Sequence, residues 1–493
     1  MKLSELLNNV LVIQVTGDIP EVEIGGIFYD SRRVVKNSIF VAVKGFKTDG
    51  HKFIIDAVSN GASAVVLEYN DSIPADIFTK NKIVKILVAD SRKALAELSR
   101  IYYKDPSKKL KLIGVTGTNG KTTTTYIMKS IFEKAGDKVG LIGTISNYIG
   151  PKEIKSTLTT PESNDLNELL FRMYNEGCRI VVMEVSSHSL ALKRVYGLDF
   201  SAAVFTNVAS DHLDFHHSFE NYFESKKLLF DSLSADSFSV YNIDDSNGAK
   251  IVGDTKSKTY SYGINDDADF KISDIRFDLN GTHFKIHFDK TDYSISTPLI
   301  GEFNAYNVCA GFAAGMLSGI DSKVILESLK SLKQVPGRFE VLGNGQKKVI
   351  VDYSHTADSL QKALITIRNI VGKDYPIYTV FGCGGDRDKT KRPVMGKIAS
   401  ELSKKVFITS DNPRNEEPLS IIEEIKSGVI NPNFEVIENR EQAIKIAIDE
   451  AEDSAVILIA GKGHEDYQEI KGVRNHFSDK EMAEKYLTAG RIN

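Results

Sequence analysis

Residues 117–123 read Gly-Thr-Asn-Gly-Lys-Thr-Thr, and no other stretch limits the possible folds as tightly. An apolar run at 111–115 precedes it, and a stretch of helical character at 122–135 follows. A strand that feeds a glycine turn and then opens a helix is the context a phosphate loop needs. The glycines let backbone N–H groups crowd phosphate oxygens, and the helix N-terminus adds partial positive charge. Lys121 would reach the β- and γ-phosphates, and the Thr122 hydroxyl would sit on Mg2+. Val115 stands where the general pattern has its first glycine, but Gly120-Lys121-Thr122 is intact. A plain turn between strand and helix would explain the glycines and leave Lys-Thr-Thr unexplained. The run predicts ATP binding.

The surrounding pattern extends that prediction to the whole chain. At 493 residues it is too long for one core, so about two to four domains are expected. A first block, 1–107, holds short β-like runs at 38–43 and 64–67 and a helix at 91–103. The polar segment Lys104-Asp-Pro-Ser-Lys-Lys breaks that helix and reads as a linker. The second block, 108–334, alternates strands (139–143, 180–185, 202–206, 239–242) with helices (165–175, 219–233), as in a parallel sheet covered by helices. Between 256 and 298 the pattern turns to β-type alternation, which predicts a small antiparallel annex. Helical character returns at 304–317 and 323–330. The third block, 335–493, alternates strands at 349–353, 377–382, 405–409 and 455–459 with helices. The expected fold class is thus α/β in three domains. A small α/β N-terminal domain precedes a central P-loop parallel-sheet ATPase domain, and a Rossmann-like α/β C-terminal domain follows.

Ligands bind at the C-terminal ends of strands in such sheets, and the charged loops fall there. Glu184 leaves the strand at 180–185, followed by Ser186-Ser187-His188, and is suited to hold Mg2+. The next strand ends in Asp211-His212-Leu213-Asp214-Phe215-His216, a cluster that favours a metal or phosphate, although no zinc spacing is satisfied. In the third block four loops close strands. They hold Asp352-Tyr353-Ser354-His355, Gly384-Gly385-Asp386-Arg387-Asp388, Asp411-Asn412-Pro413-Arg414, and Gly461-Lys462-Gly463-His464-Glu465. Each alone could be an ordinary loop; four at one sheet edge point to a site. Arginine suits a carboxylate and Glu465 an ammonium group, so the expected ligand is an amino acid.

Other classes are disfavoured. The net charge of −4 gives no general case for nucleic acid. The first residues, Met-Lys-Leu-Ser-Glu, form no signal peptide, and no apolar run reaches membrane-spanning length, so a cytoplasmic protein is expected. Cys178, Cys309 and Cys383 lie far apart without metal-ligand spacing and read as core thiols of a reducing compartment.

These motifs together resemble the Mur ligase family, the ATP-dependent enzymes that add amino acids to the peptidoglycan precursor. The resemblance rests on GTNGKTT (117–123), EVSSH (184–188), DHLDFH (211–216), GEFNAYN (301–307), PGR (336–338), DYSHT (352–356), GGDRDKTKRP (384–393), DNPR (411–414) and GKGHE (461–465). It covers nearly the whole chain. It implies that 1–107 binds the UDP end of the substrate, 108–334 ATP, and 335–493 the incoming amino acid. DNPR marks the branch that adds meso-diaminopimelate as third residue to UDP-N-acetylmuramoyl-L-alanyl-D-glutamate. The implied route is an acyl phosphate, with ADP and phosphate as products.

Site roles follow by the same resemblance. Gly117, Thr118, Asn119, Gly120, Lys121, Thr122 and Thr123 are implied to hold the phosphates, and Asn304, Asn307 and His355 the adenosine side. Thr122 and Glu184 are implied to hold one Mg2+ and His212 a second, with a carbamylated lysine positioning the metal. Alignment on Lys-x-Leu-Leu-aromatic selects Lys226 for that modification, with Lys227 left open. Arg338 is implied to contribute charge near the phosphates or across the domain junction. Tyr29, Ser31, Phe46, Lys47, Thr48, Thr159, Thr160, Ser186 and Arg194 are implied for the nucleotide sugar-peptide. Arg387, Asp411, Asn412, Pro413, Arg414, Gly461 and Glu465 are implied for the amino acid. Leu158 and Leu192 replace polar contacts of some relatives and carry no role. The partners expected are these small molecules, acting on a monomer. The rival readings are a lysine-adding ligase of the same family and a noncatalytic P-loop nucleotide switch.

Overall fold

The structure is a computed structural model and describes residues 1–489 apart from 9, 20, 22, 46–47, 70–74 and 344–346. Three open sheets follow one another along the chain. The first runs Gln14–Thr16, Val84–Leu87, Ala62–Leu67, Ser38–Val41, Ile27–Phe28, parallel apart from its first strand. Helix Ser91–Tyr102 is started by the Asp90 carboxylate, which accepts from the Lys93 N–H (2.8 Å). Its Ala94, Leu95 and Leu98 close the core against Ile39, Val41, Val66 and Ile86.

In the central sheet Lys111–Thr116 lies between Ile180–Glu184 and Ala202–Phe205, parallel to both. Leu112, Ile113 and Val115 are fully buried because helices cover both faces, which is why the strand reads as a continuous apolar run. The next strand in the chain, Val139–Ile142, lies beyond Ile180–Glu184, whereas Ala202–Phe205 and Phe238–Asn242 extend the other way. The strand order therefore reverses at Lys111–Thr116, and the crevice of a topological switch point opens above residues 117–123.

The annex expected at 256–298 is continuous with this sheet. Lys258–Gly263 and Phe270–Asp278 continue the parallel pairing, and Gly281–Phe288 and Thr291–Thr297 add antiparallel strands. A second antiparallel extension, Ser146–Ile149 with Lys152–Lys155, lies at the opposite edge, where no strands were expected. Eleven strands result.

The third sheet orders Glu340–Leu342, Lys348–Asp352, Val456–Ala460, Ile377–Phe381, Lys405–Ile408 and Phe434–Val436, with only the first strand antiparallel. Val456–Ala460 separates two strands consecutive in the chain, which makes a second switch point. A hairpin, Tyr467–Ile470 with Val473–His476, follows the last central strand and overhangs that edge. No helix among the described residues is long and apolar enough to cross a membrane.

Candidate active site

The phosphate loop is shaped by contacts that only glycine permits. Gly120 caps helix Lys121–Lys134 at φ 89°, and a Cβ there would come within 2.4 Å of Asn307 Oδ1. A Cβ on Gly117, at φ 151°, would meet Thr206 Oγ1 at 1.9 Å. The neighbouring strand end braces the loop. Thr118 N–H donates to Asn207 O (2.8 Å), Asn119 N–H to Asn207 Oδ1 (3.0 Å), and Thr206 Oγ1 to Asn119 O (2.6 Å). Lys121 Nζ folds back onto Gly117 O (2.9 Å) and Thr118 O (2.8 Å). Its burial, with Arg338 adding repulsion against the pull of Glu184, lowers its pKa.

Glu184 is fully buried and accepts three hydrogen bonds at the end of its strand. The donors are Thr122 Oγ1 (3.0 Å), Thr144 N–H (2.8 Å) and Thr144 Oγ1 (3.0 Å). Thr144, which the sequence did not single out, also pairs with Thr159 (3.0 Å). Arg338 reaches across from the third domain to donate to Thr122 Oγ1 (3.1 Å), while its Nε is buried without a partner among the described residues. A hydroxyl and a carboxylate beside a phosphate loop are a donor set for Mg2+, which commonly takes one or two carboxylates plus phosphate oxygens and water. Among the described residues no three His, Cys, Asp or Glu side chains converge as a metal cage. The histidines of 184–216 pack instead as a ring cluster, with His188 against His212 at 4.7 Å and against Phe215 at 4.3 Å. His216 is buried, bonds to Ser187 (3.0 Å) and Ser225 (3.3 Å), and is brought down to about 4 by burial.

Adjacent Lys226 and Lys227 face different surroundings. Lys226 Nζ is buried, donates to Gly117 O (2.9 Å) and lies over the Tyr222 ring. Desolvation, then repulsion from Lys121, lowers its pKa well below the ordinary lysine value. Lys227 pairs outside with Asp231 (2.7 Å) and Asp254 (2.6 Å).

A cavity of about 490 Å3 runs from Gly120 and Thr122 past Asn304 and Asn307 to Phe339, Asp352 and Lys362 of the third domain. In its central-domain wall Asn307 Nδ2 donates to Asn304 Oδ1 (3.0 Å), and Asn119 Nδ2 donates to Asp358 Oδ2 (3.2 Å), tying the phosphate loop to the third domain. His355 lies nearby. Its Nδ1 bonds Tyr353 O (2.9 Å), and burial brings it down to about 4.

On the opposite side, Tyr29 OH donates to Asp165 Oδ2 (2.5 Å) and Arg33 to Asp165 Oδ1 (2.7 Å), joining the first domain to the central one. Ser31 is buried beside them. Thr160 Oγ1 donates to Glu184 O (2.8 Å) and accepts from Ser186 N–H (3.2 Å), and Arg194 Nη1 donates to Thr160 O (3.0 Å). Thr159, Thr160, Ser186 and Arg194 thus share one wall with Glu184. Thr48 lies in the loop where its O accepts from Gly45 N–H (2.9 Å). Phe46 and Lys47 lie outside the described residues.

The four loops of the third domain converge. Asn412 Nδ2 donates to Glu465 Oε2 (2.7 Å), and Lys462 Nζ donates to that oxygen and to Asn412 Oδ1 (both 3.1 Å). Lys462 is 0% exposed. The ammonium expected near Glu465 is thus already supplied by the protein, while burial raises the Glu465 pKa. Gly461, at φ 117°, leaves room for Asp411, whose Oδ2 would be 2.6 Å from a Cβ there. Arg414 adopts φ 52° and is held by Glu469 O and Lys471 N–H of the overhanging hairpin. Its Nη1 donates to Gly385 O (2.6 Å), and among the described residues Nε and Nη2 make no hydrogen bond. Among the described residues Arg387 makes one hydrogen bond, from Nη1 to Asp386 O (3.2 Å), and is exposed. Pro413 is buried between them.

A phosphate loop at one switch point, facing charged loops at another, defines an enzyme that brings ATP and a small charged substrate together. The chain matches the Mur ligase middle domain over 115–315, the glutamate ligase domain of Mur ligases over 337–463, and the Mur ligase catalytic domain over 23–103. It is 46% identical over 495 residues, 99% of each chain, to UDP-N-acetylmuramoyl-L-alanyl-D-glutamate--2,6-diaminopimelate ligase of Clostridium tetani. It is 43% identical over 492 residues, 99% of each, to the ligase of that name from Bacteroides fragilis. A solved structure with the same title is 31% identical, covers all of both chains and superposes with a TM-score of 0.71. The chain belongs to the Mur ligase family and is an ATP-dependent acid–amino-acid ligase.

Proposed function

We propose that this ligase joins meso-2,6-diaminopimelate to the D-glutamate carboxylate of UDP-N-acetylmuramoyl-L-alanyl-D-glutamate in peptidoglycan precursor synthesis. The observation that carries the choice of amino acid is the Arg414 guanidinium. Gly385 O fixes its plane through Nη1 while Nε and Nη2 stay open among the described residues. That fork fits the second carboxylate of diaminopimelate and has no partner on L-lysine. The relatives at 46% and 43% identity carry the same substrate in their names.

A D-glutamate carboxylate oxygen attacks the γ-phosphorus, ADP leaves, and an acyl phosphate forms. The amine of diaminopimelate then attacks the acyl carbon. A tetrahedral intermediate collapses with loss of inorganic phosphate, and the nitrogen gives up a proton. Lys121 lies in the loop to neutralise charge on the transferring group, and Arg338, bonded to Thr122, adds a second cation there. Mg2+ would supply further neutralisation: Thr122 and Glu184 would hold one ion and His212 a second, with carbamylated Lys226 offering oxygen to position metal. Thr118, Asn119, Gly120 and Thr123 complete the phosphate cradle, and Asn304, Asn307 and His355 serve the adenosine end. Tyr29, Ser31, Thr48, Thr159, Thr160, Ser186 and Arg194 receive the nucleotide sugar-peptide. Arg387, Asp411, Asn412, Pro413, Arg414, Gly461 and Glu465 receive the amino acid. On this reading 1–107, 108–334 and 335–493 are the three functional domains. We further infer a monomer working in the cytoplasm, which a solution mass equal to that of one chain would support.

The test is the product. Incubated with ATP, Mg2+, the nucleotide dipeptide and meso-diaminopimelate, the protein should yield a nucleotide heavier by one diaminopimelate less one water. One ADP and one phosphate should accompany each. ATP hydrolysis without a heavier nucleotide would replace the ligase by a nucleotide switch.

A further inference from the structure

Arg392 is 0% exposed although it lies four residues beyond Asp388 of a surface loop. A buried guanidinium is costly unless most of its N–H groups are paired, and here Nη1 and Nη2 are paired while Nε has no partner among the described residues. Arg392 Nη1 donates to Glu416 Oε2 (3.0 Å) and Glu424 Oε2 (2.7 Å), and Nη2 donates to Glu416 Oε1 (3.0 Å) and Gly384 O (3.1 Å). Glu416 Oε1 also accepts from Asp386 N–H (2.7 Å). One bidentate ion pair therefore touches both the loop that carries Arg387 and the loop that carries Arg414.

Those loops are also joined directly. Gly385 N–H donates to Asn412 O (2.9 Å), and Asn415 Nδ2 to Asp386 Oδ2 (2.7 Å). They run so close that a Cβ on Gly385 would stand 1.9 Å from Pro413 O. Asp386 and Arg414 both hold left-handed backbone, at φ 53° and 52°, which L-residues keep only when their surroundings fix it. Arg387 itself is exposed, so its direction follows from the backbone of Asp386 that Glu416 holds.

We propose that Arg392 and Glu416 are positioning residues that set the separation and direction of Arg387 and Arg414, and so the preference for an amino acid with two carboxylates. The proposal rests on the amino-acid site assigned above. Each acts through the loop backbone, Arg392 on Gly384 O and Glu416 on Asp386 N–H. The fork is specific to arginine, since a lysine ammonium cannot grip both Glu416 oxygens and Gly384 O in one plane.

Glu416→Gln and Arg392→Lys test this on the full chain. Both should raise the KM for meso-diaminopimelate by between about tenfold and a hundredfold, the scale of a misplaced substrate clamp. The KM for ATP and for the nucleotide dipeptide should stay within about threefold, and the preference for diaminopimelate over L-lysine should fall by a factor matching the KM change. Glu416→Asp, which keeps the charge and shortens the reach, should fall between wild type and Glu416→Gln. If Arg392→Lys does not fold, the two Glu416 variants carry the test. A parallel rise in all three KM values, or an unchanged preference, would reduce the pair to fold support and overturn the proposal. Arg414→Ala runs alongside: if it leaves the diaminopimelate KM unmoved, the site assignment fails rather than the positioning.

Discussion

Lys226→Ala tests how the phosphate loop tolerates two buried lysines. Lys121 Nζ and Lys226 Nζ each lie 2.9 Å from Gly117 O, so they are at most about 5.8 Å apart. Two ammonium charges at that distance repel by ~3 kcal/mol at an effective dielectric of ~20. Burial acts first and this repulsion second, and both favour the neutral amine. A neutral amine adds to CO2 and releases a proton. The resulting carbamate replaces repulsion of Lys121 by attraction and offers oxygen to Mg2+. Lys227 is the built-in control: despite partial burial, Asp231 and Asp254 raise its pKa and keep it cationic. Lys226→Ala should lose about a hundredfold or more in turnover, as when a group around a metal is removed, and added formate or acetate should restore part of it. Lys227→Ala should stay within about threefold, since surface ion pairs contribute little. With 13C-labelled CO2 the wild type should show a carbamate resonance that Lys226→Ala lacks. A larger loss in Lys227→Ala, or a Lys226→Ala protein that keeps the resonance and ignores added carboxylates, would refute the reasoning.

Three further outcomes are expected. Gly117→Ala should abolish ATP binding, because its Cβ would overlap Thr206 Oγ1; calorimetry showing unchanged ATP affinity would contradict that cradle. His216 and His355 titrate near 4 in the fold against an ordinary value near 6.5. The folded state therefore binds fewer protons than the unfolded chain between those values. Their contribution to stability is full above about pH 6.5 and is lost as pH falls toward about 4. Thermal unfolding should show Tm dropping across that window, with a shallower drop in His216→Asn; a flat Tm would contradict the assignment. Arg338→Ala, which removes the bond from the third domain to Thr122, should lower kcat far more than it alters the diaminopimelate KM; an effect confined to that KM would count against its place near the phosphates.

What the sequence discloses here is what local pattern can encode. The strand at 111–116 and its loop are legible because a both-faces-buried strand is apolar throughout and a phosphate loop needs its glycines in place. The parallel strands at 180–184, 202–205 and 238–242 are legible for the same reason. The extension at 146–155 is not: its edge strand Lys152–Lys155 is largely exposed and carries Lys-Glu-Ile-Lys, which matches no buried pattern. The burial of Lys462 and Arg392 is not legible, because lysine and arginine are normally surface residues and only tertiary pairing with Glu465 and Glu416 reveals it. Thr144 was silent for a similar reason. Its role depends on Glu184, forty positions away in the chain and 3.0 Å away in space. The choice between Lys226 and Lys227, open in sequence, becomes a physical contrast once one faces Gly117 O and the other faces Asp254.

The most direct measurement is initial phosphate release from ATP with UDP-N-acetylmuramoyl-L-alanyl-D-glutamate, comparing meso-diaminopimelate and L-lysine at equal concentration. The open Arg414 fork predicts release that requires diaminopimelate, with L-lysine near background, and loss of that preference in Arg414→Ala. Faster release with L-lysine would keep the ligase and contradict the account of its substrate.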